Sequence, residues 1–181
     1  MPIDADRLFR EYHGTLVRYL TRRLGDRDWA EEVAQETFVR ALRQDVIESE
    51  RSWLFAVASN LVRDDARKVA RQRQHLQLLA AEARDAEQES ATDEEGLTAE
   101  RARETALARK ALESLAERDR QALLLKAEGL DYEEIAKVLE IERSSVGTTL
   151  SRARRRLTET FDALRKDSQP DITGSAGNVA S

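Results

Sequence analysis

The chain has 181 residues, 36% of them charged and 5% aromatic, with two prolines, seven glycines and a formal net charge of −5. It holds no cysteine, which excludes disulfides and thiolate zinc sites and suits a reducing, cytoplasmic home. No run approaches a membrane span in length, no secretory leader is expected at the N-terminus, and no stretch alternates as a strand does, so an all-α fold of one or two small domains is expected.

The first helix is predicted from about Asp4 to Leu24. Leu8, Phe9, Tyr12, Leu16, Tyr19, Leu20 and Leu24 recur at helical spacing and define one buried stripe. Gly25 ends the helix as a C′ glycine. Asp28 and Glu31 have capping-box spacing, so a second helix is predicted over about residues 28–43, with Trp29, Val33, Phe38, Ala41 and Leu42 inward. A polar loop follows over 44–51, with Ser52 as a cap. The third helix is predicted from Trp53, with Leu54, Val57, Ala58 and Leu61 inward. Trp53 opens this apolar stripe and reads as core; Phe55 points to another face. The helix then runs on through a basic stretch, Arg63, Arg67, Lys68, Arg71 and Arg73.

From about 83 to 99 apolar periodicity stops and acid accumulates at Asp85, Glu87, Glu89, Asp93, Glu94 and Glu95, which reads as a flexible acidic linker. A second domain begins near Glu100. Leu107, Ala111, Leu112 and Leu115 belong to its first helix; Ala122, Leu123, Leu125 and Ala127 belong to the next, which Gly129 ends. Asp131 and Glu134 form a capping box. Ile135, Leu139, Ile141, Val146 and Leu150 then suit two short helices packed on a third. Ser144 and Ser145 offer N-caps for the second of these. Glu140 stands where a glycine is common, and a left-handed residue there costs about 1–2 kcal/mol. This is the layout of a helix-turn-helix, which places its second helix in the major groove of DNA; a plain helical hairpin is the alternative. The last helix is predicted to run to about Lys166. The tail from Asp167 holds Pro170, Gly174, Gly177 and no core, and is expected to be disordered.

The charge lies in blocks. A second basic stretch, Arg143, Arg152, Arg154, Arg155, Arg156, Arg165 and Lys166, mirrors the first across the acidic connector. Two nucleic-acid contacts separated by a linker explain this layout better than evenly mixed solvated faces. No catalytic constellation is present. His13 and His75 lie in separate helical regions without clear partners, and no glycine-rich phosphate loop occurs. No cofactor, no metal and no small-molecule substrate is expected.

Three passages carry a resemblance to a family. They are residues 30–41, beginning Ala30-Glu31-Glu32-Val33; residues 53–61, beginning Trp53-Leu54-Phe55; and the helix-turn-helix through Leu157. The chain resembles the extracytoplasmic-function (group IV) sigma factors of bacterial RNA polymerase, with the three motifs in the family's order and separations. The resemblance implies a sigma-2 domain over residues 1–82, an acidic linker over 83–99, a sigma-4 domain over 100–166 and a tail over 167–181. It implies no enzymatic activity, and three partners: core RNA polymerase (the β′ clamp helices and the β flap), promoter DNA and an anti-sigma factor.

Site residues follow from the same resemblance. Glu31, Glu32, Gln35, Glu36 and Arg40 form a surface expected to dock on the polymerase clamp, against the alternative of a solvated helix face. Asn60, with the preceding loop Ile47 to Ser52, is expected to hold a base flipped from the −10 strand; an amide both donates and accepts, as reading a base edge requires. Trp53 and Phe55 are candidate stacking platforms. Arg63, Arg67, Lys68 and Arg71 are expected to track phosphates, without reading sequence. Arg143, Ser144, Thr148, Ser151, Arg152 and Arg155 are the expected −35 contacts. Relatives often place basic residues at 147 and 149, where this chain has Gly147 and Thr149. The linker's charge suits either a nucleic-acid mimic in a basic channel or a solvated tether. The second functional reading is a free-standing helix-turn-helix regulator that binds duplex DNA by itself.

Overall fold

The computed structural model describes residues 3–79 and 99–168, with side chains described over 3–67 and 99–168. The described residues form seven α-helices and no strand. The bulk of the expected linker and tail lies outside the described residues.

Helix α1 (Ala5–Leu24) starts where Asp4 accepts a hydrogen bond from the Arg7 N–H, and ends at Gly25 in the left-handed conformation with φ 73°. Helix α2 (Arg27–Ala41) begins earlier than expected: Asp26, not Asp28, is its N-cap, accepting from the Trp29 N–H. Helix α3 (Glu50–Leu79) likewise starts three residues before Trp53. Ser52 therefore sits inside its first turn, where its hydroxyl donates to the Ser49 carbonyl.

Helices α4 (Ala99–Glu113), α5 (Glu117–Ala127), α6 (Tyr132–Leu139) and α7 (Arg143–Asp167) form the second group. Gly129, with φ 83°, turns the chain between α5 and α6, and the Leu130 N–H reaches back to the Leu125 carbonyl at 3.2 Å. Both halves of the Asp131/Glu134 capping box are made. Glu140 takes the left-handed conformation directly, at φ 54° and ψ 47°, so the tight turn is kept without a glycine.

Packing follows the expected stripes with informative departures. Leu8, Leu16, Tyr19, Leu20, Val33, Phe38, Leu54 and Ala58 are buried. Phe9 and Leu42, both expected inside, are 44% and 58% exposed. Phe55 is fully buried against Tyr19, at 5.1 Å between ring centroids, so it is core and no stacking platform. Trp53, expected in the core, is only half-buried, and Ala127 is exposed.

The two groups of helices are joined. Their buried side chains form one continuous core, with α1 against α5 and α3 against α6. Ion pairs line the seam. Arg18 and Arg22 hold Glu128, whose side chain is only 2% exposed, at 2.7 and 3.0 Å. Buried Arg23 reaches Glu117 at 2.8 Å. Arg51 grips Glu134 through two hydrogen bonds of 2.8 and 2.5 Å.

Candidate nucleic-acid and polymerase interfaces

Helix α7 has two distinct faces. Val146, Thr149, Leu150 and Ala153 are buried and seat it on the other helices. Ser144, Thr148, Ser151 and Arg155 are exposed, and with Gly147 they fall at helical spacing on one outer stripe. Thr149 therefore removes nothing from the outer face, and of the two unusual positions only Gly147 lies on it. The serine caps expected at the start of α7 are not made: the N-cap is Glu142, without a side-chain hydrogen bond. Arg143 remains 71% exposed, loosely paired with Glu133 at 3.7 Å, and Arg155 is equally open beside Glu159 at 3.9 Å.

Arg152 is placed differently from the other expected −35 contacts. Its guanidinium forks onto Asp119 of α5 at 3.1 and 2.5 Å, and Arg156 adds a 3.4 Å contact. The hydrogen bond from Arg152 holds the Asp119 carboxyl below its ordinary range, ahead of the opposing effect of burial. A two-point charge-assisted pair with a carboxylate only 1% exposed ties this arginine, itself 40% exposed, to α5.

Asn60 lines an open cavity of about 270 Å³ between the end of α2 and the middle of α3, together with Arg40, Arg43, Gln44, Trp53 and Val57. Its amide is half-buried and makes no hydrogen bond among the described residues. Trp53 presents its indole to the same space, which explains its incomplete burial. Arg40 was expected on the polymerase-facing surface; it lines this cavity while its Nε donates to Glu36 at 2.8 Å. Arg63 instead borders the large groove between the two helix groups. Arg67 is exposed. The side chains of Lys68 and Arg71 lie outside the described set.

Along α2, Glu32, Gln35 and Glu36 are exposed and Glu31 is half-buried. Glu31 has a partner on α1, 18 residues away: its Oε2 lies 3.1 Å from Nε2 of His13. His13 in turn stacks on Phe9 at 4.2 Å, and Phe9 tilts against Phe38 at 5.1 Å. Val39 (41% exposed) on α2 and Leu42 just beyond its end add apolar surface. The acidic face is thus bordered by exposed apolar groups, a combination suited to protein docking. Phe9 could have been found from its position one residue beyond Leu8, at the margin of the buried stripe. The partners of Asp119, Glu128 and Glu134 had no local signal, because each lies far away in sequence.

Two family models match in order: sigma-70 region 2 over residues 8–72 and sigma-70 region 4 over residues 105–157. The chain is 30% identical to the ferric citrate uptake sigma factor FecI of Escherichia coli, covering 83% of this chain and 87% of that protein. It is 28% identical to the RNA polymerase sigma factor YlaC of Bacillus subtilis, covering 88% and 93% of the two chains. The solved structure of the sigma factor RpoE from Bartonella quintana, in complex with the anti-sigma factor NepR, superposes with a TM-score of 0.68 at 22% identity over 88% of this chain and 97% of that one, a likeness of fold. The order of the two region models and the extent of these matches place the chain in the sigma-70 family, among the extracytoplasmic-function sigma factors that bind core RNA polymerase and direct it to promoters.

Proposed function

We propose that α1–α3, within residues 1–82, form the unit that docks on the polymerase clamp and opens the −10 element, and that α4–α7, within 100–166, form the unit that binds the β flap and reads the −35 element. The cavity at Asn60 carries this reading. It offers an unpartnered amide for a base edge, an indole for stacking, and Arg40 and Arg43 for the flanking phosphates. Unstacking a base costs a few kcal/mol, and stacking plus hydrogen bonding in such a cavity offsets it.

The outer face of α7 supplies the duplex contacts: Arg143 and Arg155 with Ser144, Thr148 and Ser151. Arg152 supports them from behind through Asp119. Glu31, Glu32, Gln35 and Glu36 provide charge for steering and register on a basic partner helix, and the apolar border at Phe9, Val39 and Leu42 provides the area. The protein works in the cytoplasm, without a cofactor and without enzymatic activity of its own, and an anti-sigma factor is its natural inhibitor. The free-standing regulator is not favoured, since family membership assigns the helix-turn-helix to a polymerase subunit.

The −10 and −35 elements are, by their names, about 25 base pairs apart, or about 85 Å at 3.4 Å per base pair. The longest described helix, α3 with 30 residues, spans only about 45 Å. Two units packed on one another do not cover both elements, so the α1–α5 and α3–α6 seam parts when the promoter is engaged.

Run-off transcription with core RNA polymerase tests the function. The expected result is a promoter-dependent transcript, with permanganate-reactive thymines at −10 that disappear for Asn60→Ala. Opening that is unchanged in Asn60→Ala would reject the cavity as the base-capture site.

A further inference from the structure

Gly147, half-buried, lies at the margin of the outer stripe of α7, beside Ser144, Thr148 and Ser151. A glycine there weakens the helix relative to alanine, and nothing inside the protein requires it. Its φ is not in the left-handed region, and an added Cβ would meet only Cε2 of Tyr132, at an ordinary 3.7 Å. The reason for the glycine therefore lies outside the fold.

The neighbours indicate what that reason is. The three residues flanking Gly147 on the stripe are short hydroxyl side chains. Such side chains reach base edges only when the helix backbone lies deep in the groove. A glycine permits close approach of backbone to a ligand, whereas a long side chain at 147 would hold the helix off. Tyr132, the first residue of α6, stands beside this gap. Its residue is 38% exposed, the Lys126 ammonium lies 5.5 Å from its ring centroid, and its hydroxyl makes no hydrogen bond among the described residues. In a helix-turn-helix the first helix crosses the DNA backbone, which brings an O–H at this position to a phosphate.

We propose that Gly147 and Tyr132 together set the docking depth of the recognition helix. Gly147 lets α7 seat with its backbone close to the base pairs, so that Ser144, Thr148 and Ser151 read the −35 element. The Tyr132 hydroxyl donates to a phosphate at the groove edge and fixes that seating. The proposal rests on α7 being the −35 reader.

The test uses the full chain in complex with core RNA polymerase. The preferred −35 sequence is first selected from a randomised pool, and initiation is then compared on that promoter and on one with a scrambled −35 element. Gly147→Ala is expected to raise the melting temperature of the protein by a few degrees while lowering the −35-dependent stimulation about tenfold, the size expected when direct readout contacts are lost. Gly147→Leu is expected to lower it further. Tyr132→Phe is expected to weaken promoter binding to a similar degree on every −35 sequence, because a phosphate contact carries no sequence information. Stimulation that is retained in Gly147→Ala and Gly147→Leu, or increased in Gly147→Lys, overturns the proposal. A wild-type protein that selects no −35 sequence removes the assignment of α7 itself, an outcome distinct from wild-type selection that the variants leave unchanged.

Discussion

Arg51 and Glu134 lie 83 residues apart and meet in a two-point ion pair that ties the start of α3 to the first helix of the helix-turn-helix. Arg51 belongs to the segment that precedes the Asn60 cavity. Glu134 also closes the α6 capping box by accepting from the Asp131 N–H at 2.9 Å. One carboxylate therefore serves the local fold and the seam between the two units.

Loosening the seam without touching that cap calls for Arg51→Gln, combined with Glu128→Gln to release Arg18 and Arg22. The double variant is expected to show a longer distance between fluorophores placed on α2 and α7. Raising salt is expected to lengthen the wild-type distance in the same direction, because the arginine ends of these pairs are partly exposed and screened. A distance insensitive both to salt and to the substitutions would show that the apolar part of the seam governs closure.

Arg152 and Arg155 are expected to behave differently although they lie in one basic run. Arg152→Ala removes the principal partner of a buried carboxylate and is expected to destabilise the protein by about 1–3 kcal/mol. Arg155→Ala leaves stability within about 0.5 kcal/mol and weakens −35 binding. Thermal melts and binding curves on both variants separate the two roles.

Asp119 sets a pH dependence with a definite sign. Its carboxyl is held below the ordinary range in the folded chain by Arg152, so folding favours its ionised form. The contribution is complete above the unfolded value of about 4 and is lost as pH falls through the lower folded value. Asp119→Asn is expected to be less stable than wild type at pH 7, with the gap narrowing only below about pH 4. Melting temperatures measured across the acid range check this; a gap that closes near neutrality would contradict it.

The surface on α2 combines charge and apolar area, and the two are expected to contribute unequally. Reversing Glu32 to Lys is expected to slow association with core polymerase in a salt-dependent way. Phe9→Ser removes exposed aromatic area and is expected to speed dissociation instead. Association and dissociation rates measured by surface binding distinguish these effects.

Much of this protein was legible in its sequence because the controlling interactions are local. The Asp131/Glu134 box and the Gly25 stop each depend on residues within one helical turn, and both form as expected. The cost of a left-handed Glu140 pointed to an altered turn, yet Glu140 takes that conformation and the turn is kept. Boundaries shifted where two caps competed: Asp26 and Asp28 both precede Trp29, and Asp26 has the spacing that reaches its N–H. Phe9, Leu42 and Trp53 were placed inside because they continue an apolar stripe. Whether the edge of a stripe is covered depends on the neighbouring helix, which periodicity does not specify.

The sequence by itself determined seven amphipathic helices, their order and the three motifs that carry the family, since hydrophobic period and capping chemistry are written in neighbouring residues. Tertiary structure decided which charges are spent on the fold. Arg152 points to Asp119, Glu31 to His13, and Arg18 and Arg22 to Glu128, while Arg143 and Arg155 stay open. Like residues in one basic run acquire different roles because an ion pair needs a partner within a few ångströms, and only the packing of distant helices brings those partners together.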